Sequence, residues 1–386
     1  MTSPSTVSTP DPWWRNDAVI FAVLVAIAAV AFGATYAVSA SYVRREDSLA
    51  RHWYQLGDSD LTAGNPKSAV SDFRTALLYS RDNPRYRLRL AQALAADNDV
   101  PQAIAYFLNL WEGQPGSGLY NLELARLYAR DRQPRSAMQF YNNAIYGAWV
   151  TDPGAQRRAA RVEYIKFLMQ QNQAAEAQAQ AIALASVTPP TDIEGRLNAA
   201  NLLLTAGDPQ HALDEFSALL KEAPAQASLG AGRAAFQLGR FRTAADRLHI
   251  AIEHGNTDPL AKGLLTQSQS ILDLDPWQRG LTADERAHRV STAYVQAGSR
   301  LQQCSIAKQQ PLDATPPTTD LQLLYSAWTK AGTQLHRLPH DPDLRDSLMD
   351  LAFRIEGTTA VDCGPSTGAT DQALTMLSRY GEAVQQ

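Results

Sequence analysis

Apolar and polar positions follow two different patterns along this chain. From Ala18 to Val43 there is no Asp, Glu, Lys, Arg or His, and the run AVIFAVLVAIAAVAFGATYAV matches the roughly 20 residues a bilayer-spanning helix requires. Beyond it, stretches rich in Ala, Leu, Gln and Arg are punctuated by Pro and Gly, and long runs of Val, Ile and Thr are absent. That alternation predicts helices joined by tight turns, hence an all-α chain.

Two readings fit the N-terminal run. As a transmembrane helix over 18–43, preceded by a short tail over 1–17, it has Trp13 and Trp14 before it and Tyr36 and Tyr42 near its far end. Amphipathic rings concentrate at the two interfaces in this way. Arg44 and Arg45 then stop the span. As a cleaved signal peptide it offers Arg15 and the small residues Val38, Ser39 and Ala40, but its apolar core exceeds the roughly 7 to 15 residues usual there. Ala22 and Ala26, and Ala29, Gly33 and Ala37, recur at four-residue steps that let helices approach closely. In so Ala-rich a segment such spacing arises readily by chance.

Past the span the sequence repeats itself. Ala69, Ala103 and Ala137 share a 34-residue step with Phe73, Phe107 and Tyr141, with Ala76, Leu110 and Ala144, and with Gly57, Ala91 and Ala125. A fixed period of this length is the signature of stacked helical hairpins. The first unit carries Trp53, Leu56, Gly57, Gly64, Ala69, Phe73, Ala76 and a closing Pro84. On these residues the chain resembles the tetratricopeptide repeat family. Small residues where two helices cross permit a short interhelical distance, and a neighbouring large side chain fills the remaining space.

Further units follow in looser register. Ala177 and Leu184 mark a weak fourth, Ala200, Gly207, Ala212, Phe216 and Pro224 a fifth, and Gly232, Gly239, Ala244, Leu248, Ala251 and Pro259 a sixth. Units four and six lack the aromatic of the pattern, and the step between Ala144 and Ala177 is irregular. The resemblance implies an α-solenoid of about six repeats over 50–275 with a concave groove lined by the first helix of each hairpin. In the family register the groove-facing side chains are Tyr54, Asp58, Gln92, Arg126, Arg130, Lys166, Gln170, Asn201, Arg233 and Gln237. That set suits an extended or helical protein segment of acidic character, held by Arg126, Arg130, Lys166 and Arg233. An ordinary solvated face is the competing reading. Family members that clamp a C-terminal carboxylate place Lys and Asn where this chain has Tyr54, Asp58, Leu88 and Gln92, which argues against that mode.

After Asp275-Pro276 the period fades. Helices are expected over about 282–307, 321–335, 344–355 and 370–377, separated by a Pro/Thr stretch at 311–319, and residues 276–386 read as a helical cap on the solenoid. The only two cysteines lie here, Cys304 near a helix end and Cys363 in an Asp-Cys-Gly-Pro loop. They form either a disulfide or two unrelated thiols. A loop cysteine before Gly-Pro is an unusual core position, which favours the bond, worth about 4 kcal/mol on the chain-entropy model. A disulfide points to the exported side of a bacterial inner membrane, whereas Arg44, Arg45 and Arg51 against Arg15 slightly favour a cytosolic array.

The net charge of -4 over 386 residues, with no block of like charges, gives no footprint for nucleic acid. No phosphate loop, paired-His zinc motif, CxxC, CxxCH or Gly-x-Ser-x-Gly elbow occurs. His336 and His340 are four apart but separated by Pro339, which breaks a shared helix. The sequence therefore predicts no catalytic residue, metal or cofactor and a non-enzymatic role. Two functions remain: a membrane-anchored adaptor that binds protein partners through the groove, or a structural subunit or spacer of a larger membrane complex using the anchor and the convex face. The oligomeric state is not encoded in any of these features.

Overall fold

In the computed structural model residues 13–380 are described, with side chains from Asp17 onward. The segment 1–12, the side chains of Trp13, Trp14, Arg15 and Asn16, and residues 381–386 lie outside the described residues. Seventeen α-helices follow in order: α1 (Trp13–Thr62), α2 (Pro66–Tyr79), α3 (Pro84–Ala96), α4 (Val100–Gly113), α5 (Gly118–Arg130), α6 (Pro134–Tyr146), α7 (Pro153–Gln170), α8 (Ala174–Val187), α9 (Ile193–Thr205), α10 (Pro209–Ala218), α11 (Pro224–Gln237), α12 (Phe241–Glu253), α13 (Pro259–Leu274), α14 (Ala283–Lys308), α15 (Asp320–Gly332), α16 (Pro342–Cys363) and α17 (Ala369–Tyr380). Among the described residues there is no strand, only an isolated bridge between Ser117 and Ala148.

Local sequence explains where the helices begin. Proline occupies the first turn of α2, α3, α4, α6, α10, α11, α13 and α16, where its fixed φ fits and its missing N–H costs nothing. Asn83, Asp99, Asp208 and Asp258 accept backbone N–H bonds at the N-termini of α3, α4, α10 and α13, each cap worth about 1 kcal/mol. Pro84, Pro224 and Pro259 thus open the next helix as well as ending the previous unit.

The chain divides into two compact units inside α7, between Ala160 and Arg161. In the first, the C-terminal part of α1 packs on α2, α3 on α4, and α5 on α6, and each pair contacts the next through its second helix. Ala69, Phe73, Ala91, Ala103, Phe107, Ala125 and Ala137 have no exposed surface. At the first crossing Gly57 lies under Phe73: a Cβ there would stand 3.0 Å from the ring.

In the second unit, taken by itself, α8 to α13 stack each on the next in up-and-down order. A Cβ at Gly232 would meet Leu248 at 2.6 Å, and one at Gly230 would meet Phe216 at 2.3 Å. This is the tetratricopeptide-type solenoid arrangement, with a small residue against a large one at these helix crossings.

Several local expectations change. The helix begins by Trp13, inside the segment expected as a tail. It then runs through Arg44 and Arg45 to Thr62 as one 50-residue element, because no Gly or Pro occurs between Gly33 and Gly57. Its apolar part is long enough to cross a membrane, and Phe21, Val30 and Phe32 are exposed. The irregular fourth unit has a physical cause: α7 has 18 residues where α3, α5 and α9 have 13. The missing aromatics are supplied from other positions, with Tyr164 and Phe167 buried from α7 and Phe241 buried at the start of α12.

Cys363 is the last residue of α16, not a loop residue. It is bonded to Cys304 of α14, with the Cα atoms 5.7 Å apart. One apolar core joins Phe241, Ile271 and Leu274 to Val290, Leu301, Met349, Ile355 and Leu377. Packing is therefore continuous across the Asp275-Pro276 position where the repeat period ends.

Candidate functional site

The first helices of successive hairpins carry the residues expected to line the groove, and in the first unit several of these are brought together. Tyr54 on α1 stacks on Tyr86 of α3 with ring centroids 4.9 Å apart, and Arg85 lies 5.2 Å over its ring. Arg85 Nε donates to the Tyr54 hydroxyl at 3.1 Å. One turn further on, Arg89 of α3 pairs with Asp58 of α1 and donates to the Gln92 side chain at 3.0 Å. A ladder of side chains therefore ties α1 to α3 along this face.

On α5 the two arginines play different parts. Arg126 Nη1 pairs with Glu123 at 2.9 Å and its side chain is 40% exposed. Arg130 reaches back to the end of α3, donating to the Ala95 carbonyl at 2.9 Å and to the Asn98 side chain at 2.7 Å. Ala95 lies in the last turn of α3, where backbone carbonyls lack intrahelical partners, so Arg130 serves as a clasp between successive hairpins. Arg85, Arg89, Arg126 and Arg130 thus lie on α3 and α5, with Asp58 and Glu123 among the acidic groups that pair with them.

The second unit is plainer. Lys166, Gln170, Asn201 and Gln237 are exposed and Arg233 is half-buried. Asn201 donates to the Leu197 carbonyl of its own helix at 2.9 Å. Arg196, which the sequence reading did not single out, pairs with Glu215 of α10 at 3.1 Å. Gln178 of α8 donates to the Ala206 carbonyl at the end of α9 at 2.9 Å, another bond from one hairpin to a neighbouring helix end.

Arg85 and Arg89 are the residues that sequence reasoning missed. Both lie 31 positions after their partners Tyr54 and Asp58. Within a 34-residue period that spacing puts them one helical turn before the equivalent positions on the next first helix, a signal present in the sequence once the repeat is aligned.

Among the titratable groups of the first unit, Asp72 is buried on α2. Its carboxyl is raised above the ordinary range, chiefly by burial and then by the charge of Asp60 beside it, with His52 opposing. His336 and His340 do not share a helix: a short 3-10 turn ends at Arg337 and α16 starts at Pro342. No group of three or more metal-ligating side chains is found among the described residues.

The tetratricopeptide repeat family profile matches residues 54–117 and 197–259. Solved structures with similar chains include YrrB, a tetratricopeptide repeat protein with an unusual peptide-binding site, at 18% identity over 50% of this chain and 96% of that one, TM-score 0.38. A tetratricopeptide repeat protein from Parabacteroides merdae is 12% identical over 79% of this chain and 99% of that one, TM-score 0.39. The type IV pilus biogenesis factor PilW is 17% identical over 56% of this chain and 98% of that one, TM-score 0.38. No curated protein matches the sequence.

Proposed function

We propose that this chain of tetratricopeptide-type hairpins is a membrane-anchored adaptor that binds an acidic segment of a protein partner along the first-helix face of its N-terminal unit. The observation that carries this reading is the set of four arginines held in place on the first helices α3 and α5. Arg85 lies over Tyr54 and Arg89 bonds Asp58 and Gln92, while on α5 Arg126 pairs with Glu123 and Arg130 holds the end of α3. Guanidinium groups held in position lose little freedom on meeting a carboxylate and bond it in a bidentate manner. The tyrosine adds a flat apolar surface for the segment's side chains.

The apolar part of α1 supports anchoring in a bilayer, and because α1 is continuous the first hairpin sits directly at the membrane surface. The Cys304–Cys363 bond supports the exported side of a bacterial inner membrane, where disulfides persist. On this reading the protein gathers partners and performs no chemistry of its own.

The test is capture by the full chain in lipid nanodiscs of fluorescent peptides of equal length, acidic, neutral or basic. Acidic peptides should bind, more weakly as salt rises, and Arg85→Glu with Arg126→Glu should abolish binding while helix content is unchanged. Equal binding of all three peptides, or unaltered binding by the reversed variant, would refute the groove. A structural spacer would instead lose association only when α1 is removed.

A further inference from the structure

A second candidate ligand site lies in the C-terminal half of the second unit. There α11, α13, α14, α16 and α17 line an open-sided cavity of about 310 Å³, apolar over most of its wall, with Phe236, Ile271, Ala360, Ala373 and Met376 among the lining residues. Cavities of this size accept small organic molecules, and the pattern of mostly apolar walls with a few convergent polar groups is that of a binding pocket.

Two of the lining residues are Glu356 of α16 and Arg300 of α14. Glu356 is only 3% exposed. Its Oε1 and the Nε of Arg300 are both buried and have no hydrogen-bond partner among the protein groups. The other polar groups nearby are committed. Arg300 Nη2 donates to the Gly364 carbonyl. Asp371 of α17 accepts from Gln296 Nε2 at 2.7 Å and from the Ser366 hydroxyl. An orphaned buried polar atom costs free energy, and here two belong to residues that line one cavity, where a ligand that reached them would relieve that cost.

Charge decides which ligand. Burial, and then the charge of Asp371, raise Glu356 to about 8, so at neutral pH it is an uncharged carboxyl. With its proton directed to the Asp371 side, Oε1 is a carbonyl-type acceptor, and Arg300 Nε–H is a donor. One donor and one acceptor on two residues that line the same apolar cavity complement an amide, which carries both a C=O and an N–H. A carboxylate would face the Glu356 carbonyl oxygen and the negative charge of Asp371, and an ammonium would face the guanidinium. From α11 and α13 no titratable side chain lines the cavity.

We propose that this cavity binds an uncharged apolar molecule through one amide group, its C=O taking the Arg300 Nε–H and its N–H donating to Glu356 Oε1, with the alkyl part against Phe236, Ile271 and Met376. The wall that holds it includes Pro365 and Ser366, just beyond the Cys304–Cys363 bond.

The experiment uses the full chain in nanodiscs with 13C-labelled methionine methyl groups, of which Met376 lies in the cavity. Hexanamide, hexanoate and hexylammonium, equal in chain length, are titrated at pH 7, with N-acetyl-leucine N-methylamide as a peptide-like amide. Hexanamide should shift the Met376 signal saturably and bind at least about tenfold tighter than either charged analogue, the factor expected from one well-made buried hydrogen bond. If the peptide-like amide binds tighter than hexanamide the occupant is a residue of a polypeptide, and if weaker a free small molecule.

Glu356→Leu should remove the preference for the amide. Ser270→Phe, which fills the cavity from α13, should remove binding while the other methionine signals report an intact fold. No Met376 shift, or equal affinity for the three hexyl compounds, overturns the proposal.

Discussion

Replacing Glu356 by Gln should remove a pH dependence of stability that belongs to the C-terminal helices. Glu356 is raised from 4.5 to about 8, first by burial and then by the charge of Asp371, with Arg300 opposing. In the unfolded chain the same carboxyl loses its proton near 4.5. The stabilisation is therefore complete below pH 4.5, declines as the pH rises, and is gone above pH 8, once both states are ionised. At 1.36 kcal/mol for each unit of separation the full range is about 5 kcal/mol. Between pH 6 and pH 8 the loss is about 2 kcal/mol.

A chain of stacked hairpins opens locally, so a global melting point averages over the effect. Hydrogen exchange read by mass spectrometry on peptides from α16 and α17 isolates it. After correction for intrinsic rates, exchange in these helices should accelerate roughly thirtyfold from pH 6 to pH 8 in the wild type and stay nearly constant in Glu356→Gln. Peptides from α3 to α6 serve as the internal reference. Parallel pH profiles for the two proteins in α16 and α17 would show that Glu356 does not carry its proton into the folded state.

Three further outcomes follow from packing and covalent structure. Gly230→Ala places a Cβ 2.3 Å from the Phe216 ring and should cost about 1–3 kcal/mol of local stability by urea titration, whereas Gly263→Ala, with nothing within 4 Å, should stabilise by up to about 1 kcal/mol. Phe107→Ala, which empties a fully buried aromatic site, should cost about 3–5 kcal/mol and raise proteolysis within α3 to α6 while leaving α14 to α17 protected. Maleimide should label Cys304 and Cys363 only after reduction, and Cys304→Ala with Cys363→Ala should lose about 4 kcal/mol in the loop they close; labelling of unreduced, denatured protein would exclude the bond.

Much of the architecture is legible in the order of residues because a tetratricopeptide hairpin is a local object. The 34-residue columns of Ala69, Ala103 and Ala137 and of Phe73 and Phe107 are side chains that pack within a hairpin or on its neighbour. Pro and Asp at the helix starts act within four residues. Contacts so close in sequence leave a periodic trace, and the apolar run over 18–43 needs no partner to be recognised. Even Arg85 and Arg89 were written in the period, one turn ahead of the aligned positions.

The remainder depended on residues far apart. That α1 stays one helix across Arg44 and Arg45 follows from the absence of any breaker together with docking on α2. That Arg130 clasps Ala95 and Asn98 and does not simply stand in solvent requires the geometry of two stacked hairpins. In the C-terminal half no period exists to read: Glu356, Arg300 and Asp371 look like unremarkable helix residues until α14, α16 and α17 converge. A buried carboxyl acquires its proton from the surroundings those helices create, and surroundings assembled from distant segments are decided only by the tertiary structure.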